Sequence, residues 1–166
     1  MDPRQRIFLE VAYAALEHAG YGGRALAGTK TGVFVGCGAN DYLFNVPADQ
    51  LGDHAATGGT ASTVASRLAY YLDTRGPCLA VDTACSSSLV ALHMAIESLR
   101  ACETECAVVG GVHLHLRLGP YFALSQMGAL SRSSTCRPFD AQADGFVPAE
   151  GAGVLPLTPL PQAIHW

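Results

Sequence analysis

The 166-residue sequence is poor in charge and poorest of all in lysine. Charged residues make up 14% of it, and Lys30 stands alone beside scattered arginines, so there is no basic stripe to neutralise a phosphate backbone. A formal net charge of -4 points the same way, and nucleic acid is not an expected partner. No apolar run approaches the ~18 residues of a spanning helix, and Met1-Asp2-Pro3-Arg4 does not begin a signal peptide. Neither membrane insertion nor export is therefore expected. Phosphate-cradling and hydrolase signatures are missing too: there is no Walker loop and no Gly-x-Ser-x-Gly, and Gly151-x-Gly153 is too short for a dinucleotide fingerprint. Nor is there a Cys-x-x-Cys pair. Cys102 and Cys106 with His113 and His115 come nearest to a zinc set, yet Cys106 opens an apolar strand, and packing is the stronger reading.

What is present is apolar. Hydrophobic residues make up 49% of the chain, enough for a core that buries roughly 70% of the unfolded surface in a domain of this length. Cys37, Cys78, Cys85, Cys102, Cys106 and Cys136 are even in number but irregular in spacing, which reads as reduced thiols in the cytoplasm rather than a disulfide framework. The periodicity predicts a helix from Pro3 to about Ala19, with Asp2 as N-cap and Gln5 completing a capping box. A buried strand at Thr31 to Gly36 follows, then an irregular excursion from Cys37 to Gly59 through Asn40, Asp41 and Asp53. A helix carrying Val64, Leu68 and Leu72 comes next, then strands at Leu79 to Val81 and Glu105 to Gly111. A short helix at Pro120 to Met127 and a strand at Gly153 to Leu157 close the pattern. Continuous apolar strands alternating with helices imply an α/β fold on a largely parallel sheet, whose ligands gather at the carboxyl ends of the strands.

Cys85 lies at one such end. Thr83-Ala84-Cys85-Ser86-Ser87-Ser88 joins an apolar strand to a helix whose Leu89, Leu92, Ile96 and Leu99 are expected to form the buried stripe. Free N–H groups and the dipole of a helix N-terminus favour a thiolate, the nucleophilic form of cysteine, and the serine run is expected to cap those N–H groups. Asp82 is expected to be a buried, partnered carboxylate. His18, His54 and His165 read as solvated, and His93 lies about two turns along the helix from Cys85. His113 and His115 share a face if Val112 to Leu116 stays extended. Phe139-Asp140, Asp144-Gly145-Phe146 and Glu150-Gly151 place acids beside glycines and aromatics, as tight turns do.

These segments together resemble the β-ketoacyl synthase (ketosynthase) domain of modular polyketide synthases and related fatty acid synthases. The resemblance runs in order through Met1-Asp2-Pro3-Arg4-Gln5-Arg6, Thr31 to Gly36, Gly76-Pro77 and Val81 to His93. It continues through Val109-Gly110-Gly111-Val112, Cys136 to Asp140 and Ala143 to Val147. It implies a thiolase-like fold, with residues 1–166 forming most of the N-terminal half and lacking the opening strand and the C-terminal half. It also implies that Cys85 is the catalytic nucleophile. The histidines that handle the second substrate belong to the other half in this family, so no histidine role passes to the six found here. Ala149 stands where the family more often has glycine, which bears on a local turn.

The implied reaction takes an acyl chain from the phosphopantetheine arm of an acyl carrier protein onto Cys85, then condenses it with a malonyl-type extender by decarboxylation. No metal and no cofactor of its own is expected. The expected partners are the carrier protein, the second half of the ketosynthase domain and a second copy in a homodimer of the parent. Two alternatives stand beside this reading. One is a catalytically incomplete fragment acting only in carrier binding or in association between subunits; the other is a cysteine hydrolase using His113 or His115 as base.

Overall fold

A computed structural model describes residues 1–38 and 42–164. Asn40 and Asp41 of the predicted excursion, and His165, lie outside the described residues. In chain order the elements are α1 (Pro3–His18), β1 (Thr31–Gly36), α2 (Ala55–Gly59), α3 (Ser62–Leu72), β2 (Cys78–Val81) and α4 (Ser87–Arg100), then β3 (Cys106–His113), α5 (Gly119–Gln126), β4 (Gly151–Leu157) and α6 (Leu160–Ala163). The excursion is less irregular than its composition suggests, since single 3-10 turns form at Tyr42–Asn45 and Ala48–Gln50 before α2. The chain divides into two compact units, Met1–His113 with Ala152–Trp166 and Leu114–Gly151.

The first unit holds a sheet ordered β2-β1-β3-β4. β1 runs parallel to both neighbours, with Gly36 in register with Val81 on one side and Gly111 on the other. All of β1 is buried because helices cover both of its faces. Val33, Val35 and Val108 cluster with Phe8, Ala12 and Leu16 of α1 and with Val64, Leu68 and Leu72 of α3. On the opposite face Phe34, Ala107 and Val109 meet Ala91 and Ala95 of α4. Fully burying a side chain such as Phe8 or Leu68 contributes roughly 1.5–3 kcal/mol over leaving it in water.

α1 begins as its sequence predicts, with the Asp2 carboxylate accepting from the Arg4 N–H at 2.7 Å. Asp2 and Arg4 are also a buried ion pair at 3.0 Å. The predicted capping box does not form. Gln5 is fully buried and its Nε2 donates to Thr63 Oγ1 at 2.6 Å and to the Thr57 carbonyl at 3.1 Å, while its Oε1 accepts from Arg67 at 3.2 Å. An unpaired carbonyl facing a helix interface costs more than an uncapped N–H open to water, so Gln5 serves the tertiary contact.

The buried stripe of α4 also differs from prediction. Ser87, Ala91, Ala95 and Ser98 face the sheet, while Leu92 and Leu99 flank it and Leu89 is 69% exposed. The reason is distance. A Cβ added to Gly36 would stand 2.5 Å from the Ser88 nitrogen, and one on Gly111 would stand 2.9 Å from the Ser88 Cβ. The helix touches the sheet so closely that only small residues fit between them, and leucines are displaced to the sides. Gly36→Ala is expected to destabilise the chain by about 1–3 kcal/mol, because the atoms it meets are backbone and yield only if the first turn of α4 moves. Urea unfolding of that variant beside Gly22→Ala, whose Cβ meets only a side-chain carbon at 3.8 Å, checks this. The Gly22 change should stay within about 0.5 kcal/mol of wild type.

Candidate active site

β2 delivers the chain to the carboxyl edge of the sheet at Val81, and residues 82–86 turn it back onto that sheet as α4. The turn is strained at one residue. Ala84 has φ of +54°, a left-handed conformation that costs a residue bearing a Cβ on the order of 1–3 kcal/mol. Hydrogen bonds hold it there. The Asp82 carboxylate accepts from the Ala84 N–H at 3.1 Å, and Ser87 Oγ accepts from the Thr83 N–H at 2.9 Å while donating to the Ala84 carbonyl at 2.7 Å. Ser86 Oγ donates to the Thr83 carbonyl at 2.8 Å.

Two expectations change here. The serine hydroxyls do not cap the helix; they bond backward into the turn, and neither the 3-10 turn Ala84–Ser86 nor α4 has a side-chain cap. Asp82 is partnered as expected but exposed rather than buried, because its partner is a backbone N–H on the rim of the sheet. Cys85 sits inside this turn with its side chain exposed. Among the described residues nothing accepts from the Cys85 N–H. A solvent-facing thiol, a free N–H on the same residue and the positive end of α4 thus coincide at one place.

The other thiols divide sharply. Burial pushes the thiols of Cys37, Cys78 and Cys106 up from their ordinary range, which keeps them protonated and inert, while Cys102 and Cys136 are exposed outside any such turn. His18, His54 and His93 are exposed. β3 ends at His113, so the extended run needed to align His113 with His115 stops short, and the His115 ring instead lies 4.8 Å from that of Tyr121. Among the described residues no group of His, Cys, Asp or Glu is placed to hold a metal ion. A cavity of about 950 Å³ opens beside α1 and α3, lined by Leu9, Tyr13, Tyr70 and Tyr71, and Cys85 does not line it.

The family model for the N-terminal domain of β-ketoacyl synthases matches residues 1–163. The chain belongs to this family. It is 48% identical over 170 residues to one polypeptide of the phenolphthiocerol/phthiocerol polyketide synthase of Mycobacterium tuberculosis, a match that covers 99% of this chain and 8% of that protein. Another polypeptide of the same synthase is 50% identical over 165 residues, covering 98% of this chain and 9% of the other. Among solved structures, the ketosynthase from module 6 of the bacillaene synthase of Bacillus subtilis 168 superposes with a TM-score of 0.90 at 41% identity, covering 99% of this chain and 28% of that one. The oxazolomycin ketosynthase domain of Streptomyces albus JA3453 gives 0.88 at 42% identity, covering 99% and 29%. The fold is accordingly thiolase-like, as the sequence implied, and the chain spans a small part of the curated relatives and under a third of the solved ketosynthases.

The residues that shape this ketosynthase turn are only partly the ones that the sequence singles out. Cys85 and Asp82 are candidates and Ser87 is expected only as a helix cap, whereas Ala84, Gly36 and Gly111 are given no role. The signal for the glycines lay in the family segments Thr31 to Gly36 and Val109-Gly110-Gly111-Val112, which set residues without side chains at or near the carboxyl ends of β1 and β3.

The second unit carries the ketosynthase segments around Asp140 and Asp144, and no residue of Leu114–Gly151 is buried. Its organiser is Asp144. One carboxylate oxygen accepts from Ser131 Oγ at 2.7 Å, the other from the Ser133 N–H at 2.9 Å and the Arg132 N–H at 3.1 Å. Gly145, at φ of +137°, lies against the Leu130–Ser131 peptide where a Cβ would meet backbone at 2.5 Å. Glu150 accepts from the His115 N–H at 2.6 Å. These acids therefore fix turns, as their setting among glycines suggested. The Ser131 hydroxyl, followed by the Ser133 and Arg132 donors, lowers the Asp144 pKa from 3.8. A lowered folded pKa means that the carboxylate's stabilising bonds are complete above its ordinary pKa and lost as pH falls through the lowered value. Ser131→Ala should move the Asp144 titration midpoint upward toward the ordinary value, read from the carboxyl carbon shift by NMR.

Proposed function

We propose that Cys85 is the acyl-accepting nucleophile of a condensing β-ketoacyl synthase in polyketide biosynthesis, and that residues 1–166 are part of its N-terminal half. The observation that carries this reading is the exposed Cys85 thiol at a strained strand-to-helix turn with its own N–H unengaged among the described residues. Membership of the family supplies the reaction class. The Cys85 thiolate attacks the carbonyl of an acyl thioester on a carrier's phosphopantetheine. A bond forms between Cys85 Sγ and the acyl carbon, the carrier's carbon–sulfur bond breaks, and the carrier thiol leaves with a proton from water. The oxygen that becomes negative on the way is the charge the Cys85 N–H is suited to receive. A malonyl-type extender then loses carbon dioxide, its carbanion attacks the acyl carbon, and the β-ketoacyl carrier departs as Cys85 regains its thiol.

The acyl carrier protein, the remaining half of the ketosynthase domain and a second copy in a homodimer are the partners this reading assigns. Phosphopantetheine is the carrier's group and enters as substrate. Cytoplasmic placement belongs to the same proposal and suits the six free thiols; among the described residues no helix is long and apolar enough to cross a membrane.

A second reading, association without catalysis, is favoured by one observation. Leu79, at 38% exposure on the edge strand β2, and Leu89, at 69%, leave apolar surface on either side of the Cys85 turn, and such surface marks a contact with other protein. Intact mass after exposure of the polypeptide to an acyl thioester separates the two. The nucleophile reading expects one acyl adduct that disappears in Cys85→Ala, with circular dichroism showing both proteins folded; a folded wild type that takes no acyl group leaves only the association reading.

A further inference from the structure

We propose that Asp82 and Ser87 are positioning residues for acyl transfer, which act by fixing the peptide that carries the Cys85 N–H. The inference rests on Cys85 as nucleophile and assigns what orients its oxyanion donor. Ala84 is the hinge. Its left-handed φ of +54° is one that an alanine leaves unless something holds it, and Asp82 and Ser87 grip the peptides on both of its sides.

The peptide before Ala84 is held through the Ala84 N–H, which donates to Asp82 at 3.1 Å. The peptide after it is held through the Ala84 carbonyl, which accepts from Ser87 Oγ at 2.7 Å and from the Ser87 N–H as well, the hydroxyl being the bond that a side-chain change removes. That second peptide is planar and trans, so its carbonyl and its N–H point in opposite directions. The N–H is that of Cys85. Anchoring the carbonyl to Ser87 therefore sets the direction of the Cys85 N–H on the other side of the plane and keeps it out of the hydrogen bonding of the turn.

Ser87 is itself held on several sides. Its residue is 7% exposed, its hydroxyl also accepts from the Thr83 N–H at 2.9 Å, and its carbonyl carbon lies 2.6 Å from where a Cβ on Gly36 would stand. An anchor pinned to the sheet thus controls the orientation of a donor exposed at the surface. When the thiolate adds to the thioester carbonyl, the carbon–oxygen π pair moves onto oxygen, and the oriented N–H stabilises that charge until the carrier thiolate is expelled and protonated by water.

The test compares acylation with alkylation in the full synthase polypeptide that contains these residues. Acylation is followed by the mass of Cys85-containing peptides during reaction with an acyl N-acetylcysteamine thioester. Alkylation uses iodoacetamide, which displaces iodide from carbon and develops no oxyanion. Ser87→Ala is expected to lower the saturating acylation rate on the order of tenfold to a hundredfold while KM and the alkylation rate stay within about twofold of wild type. Ser87→Thr, which keeps the hydroxyl, should restore most of the loss. Asp82 is exposed, so Asp82→Ala does not threaten the fold and decides the question even where Ser87→Ala fails to fold. It should lower acylation about threefold or more without changing alkylation, and Asp82→Asn, which keeps an acceptor oxygen, should recover it. Unchanged acylation in Asp82→Ala and Ser87→Ala overturns the proposal, as does a parallel fall in acylation and alkylation. A wild-type protein that is alkylated at Cys85 but never acylated overturns the nucleophile reading and takes this inference with it.

Discussion

The structure turns on the contact between the first turn of α4 and a pair of facing glycines. Gly36 and Gly111 are register partners on adjacent parallel strands, and Ser88 rests on both. With no side chain between them, helix and sheet approach to backbone distance. Every later feature follows from that approach. The buried face of α4 is built of serine and alanine, its leucines are pushed aside, and residues 82–86 must reverse direction within a few ångströms. A longer, relaxed connection would need a helix standing farther from the sheet.

Strain in that reversal is concentrated at Ala84 and offset by hydrogen bonds and packing around it. The expense is local and the support is not, since Ser87 derives its fixed position from the sheet. Such an arrangement holds the exposed Cys85 thiol and its N–H in a defined relation, which is the geometry that the proposed nucleophile with a directional charge partner requires. The buried thiols show the opposite solution. Cys37 and Cys106 sit in apolar surroundings that keep them protonated, so the same residue type is silent within the core and available at its rim.

Much of this was legible in the residues. The strands and long helices fell close to their predicted bounds because their apolar periods are long and uninterrupted, and the turn that carries Cys85 formed where a strand, a thiol and a helix start follow one another directly. The failures share a cause. Gln5, the serine run and the α4 stripe were assigned by local rules for caps and periodicity, and each was overridden by a contact with residues distant in sequence or by the glycine platform. Leucine at helical spacing signals a buried face only when the facing surface leaves room for it. Asp82 was expected to be buried because strand ends often are; on this sheet the end of β2 is an edge.

The two units are held by different forces. Met1–His113 with Ala152–Trp166 contains the buried apolar clusters, whereas Leu114–Gly151 has no buried residue and is organised by carboxylates that receive hydroxyl and amide protons. Apolar burial carries a large heat-capacity change and weakens on cooling, while bonds to a surface carboxylate respond to protons and salt. Temperature thus acts chiefly on the apolar clusters of the first unit, and solution composition on the carboxylate bonds that organise the second. Acid acts on the segment around Asp144 through its carboxylate, whereas the Cys85 turn draws on both kinds of support, the Asp82 carboxylate at its rim and the glycine contact beneath α4.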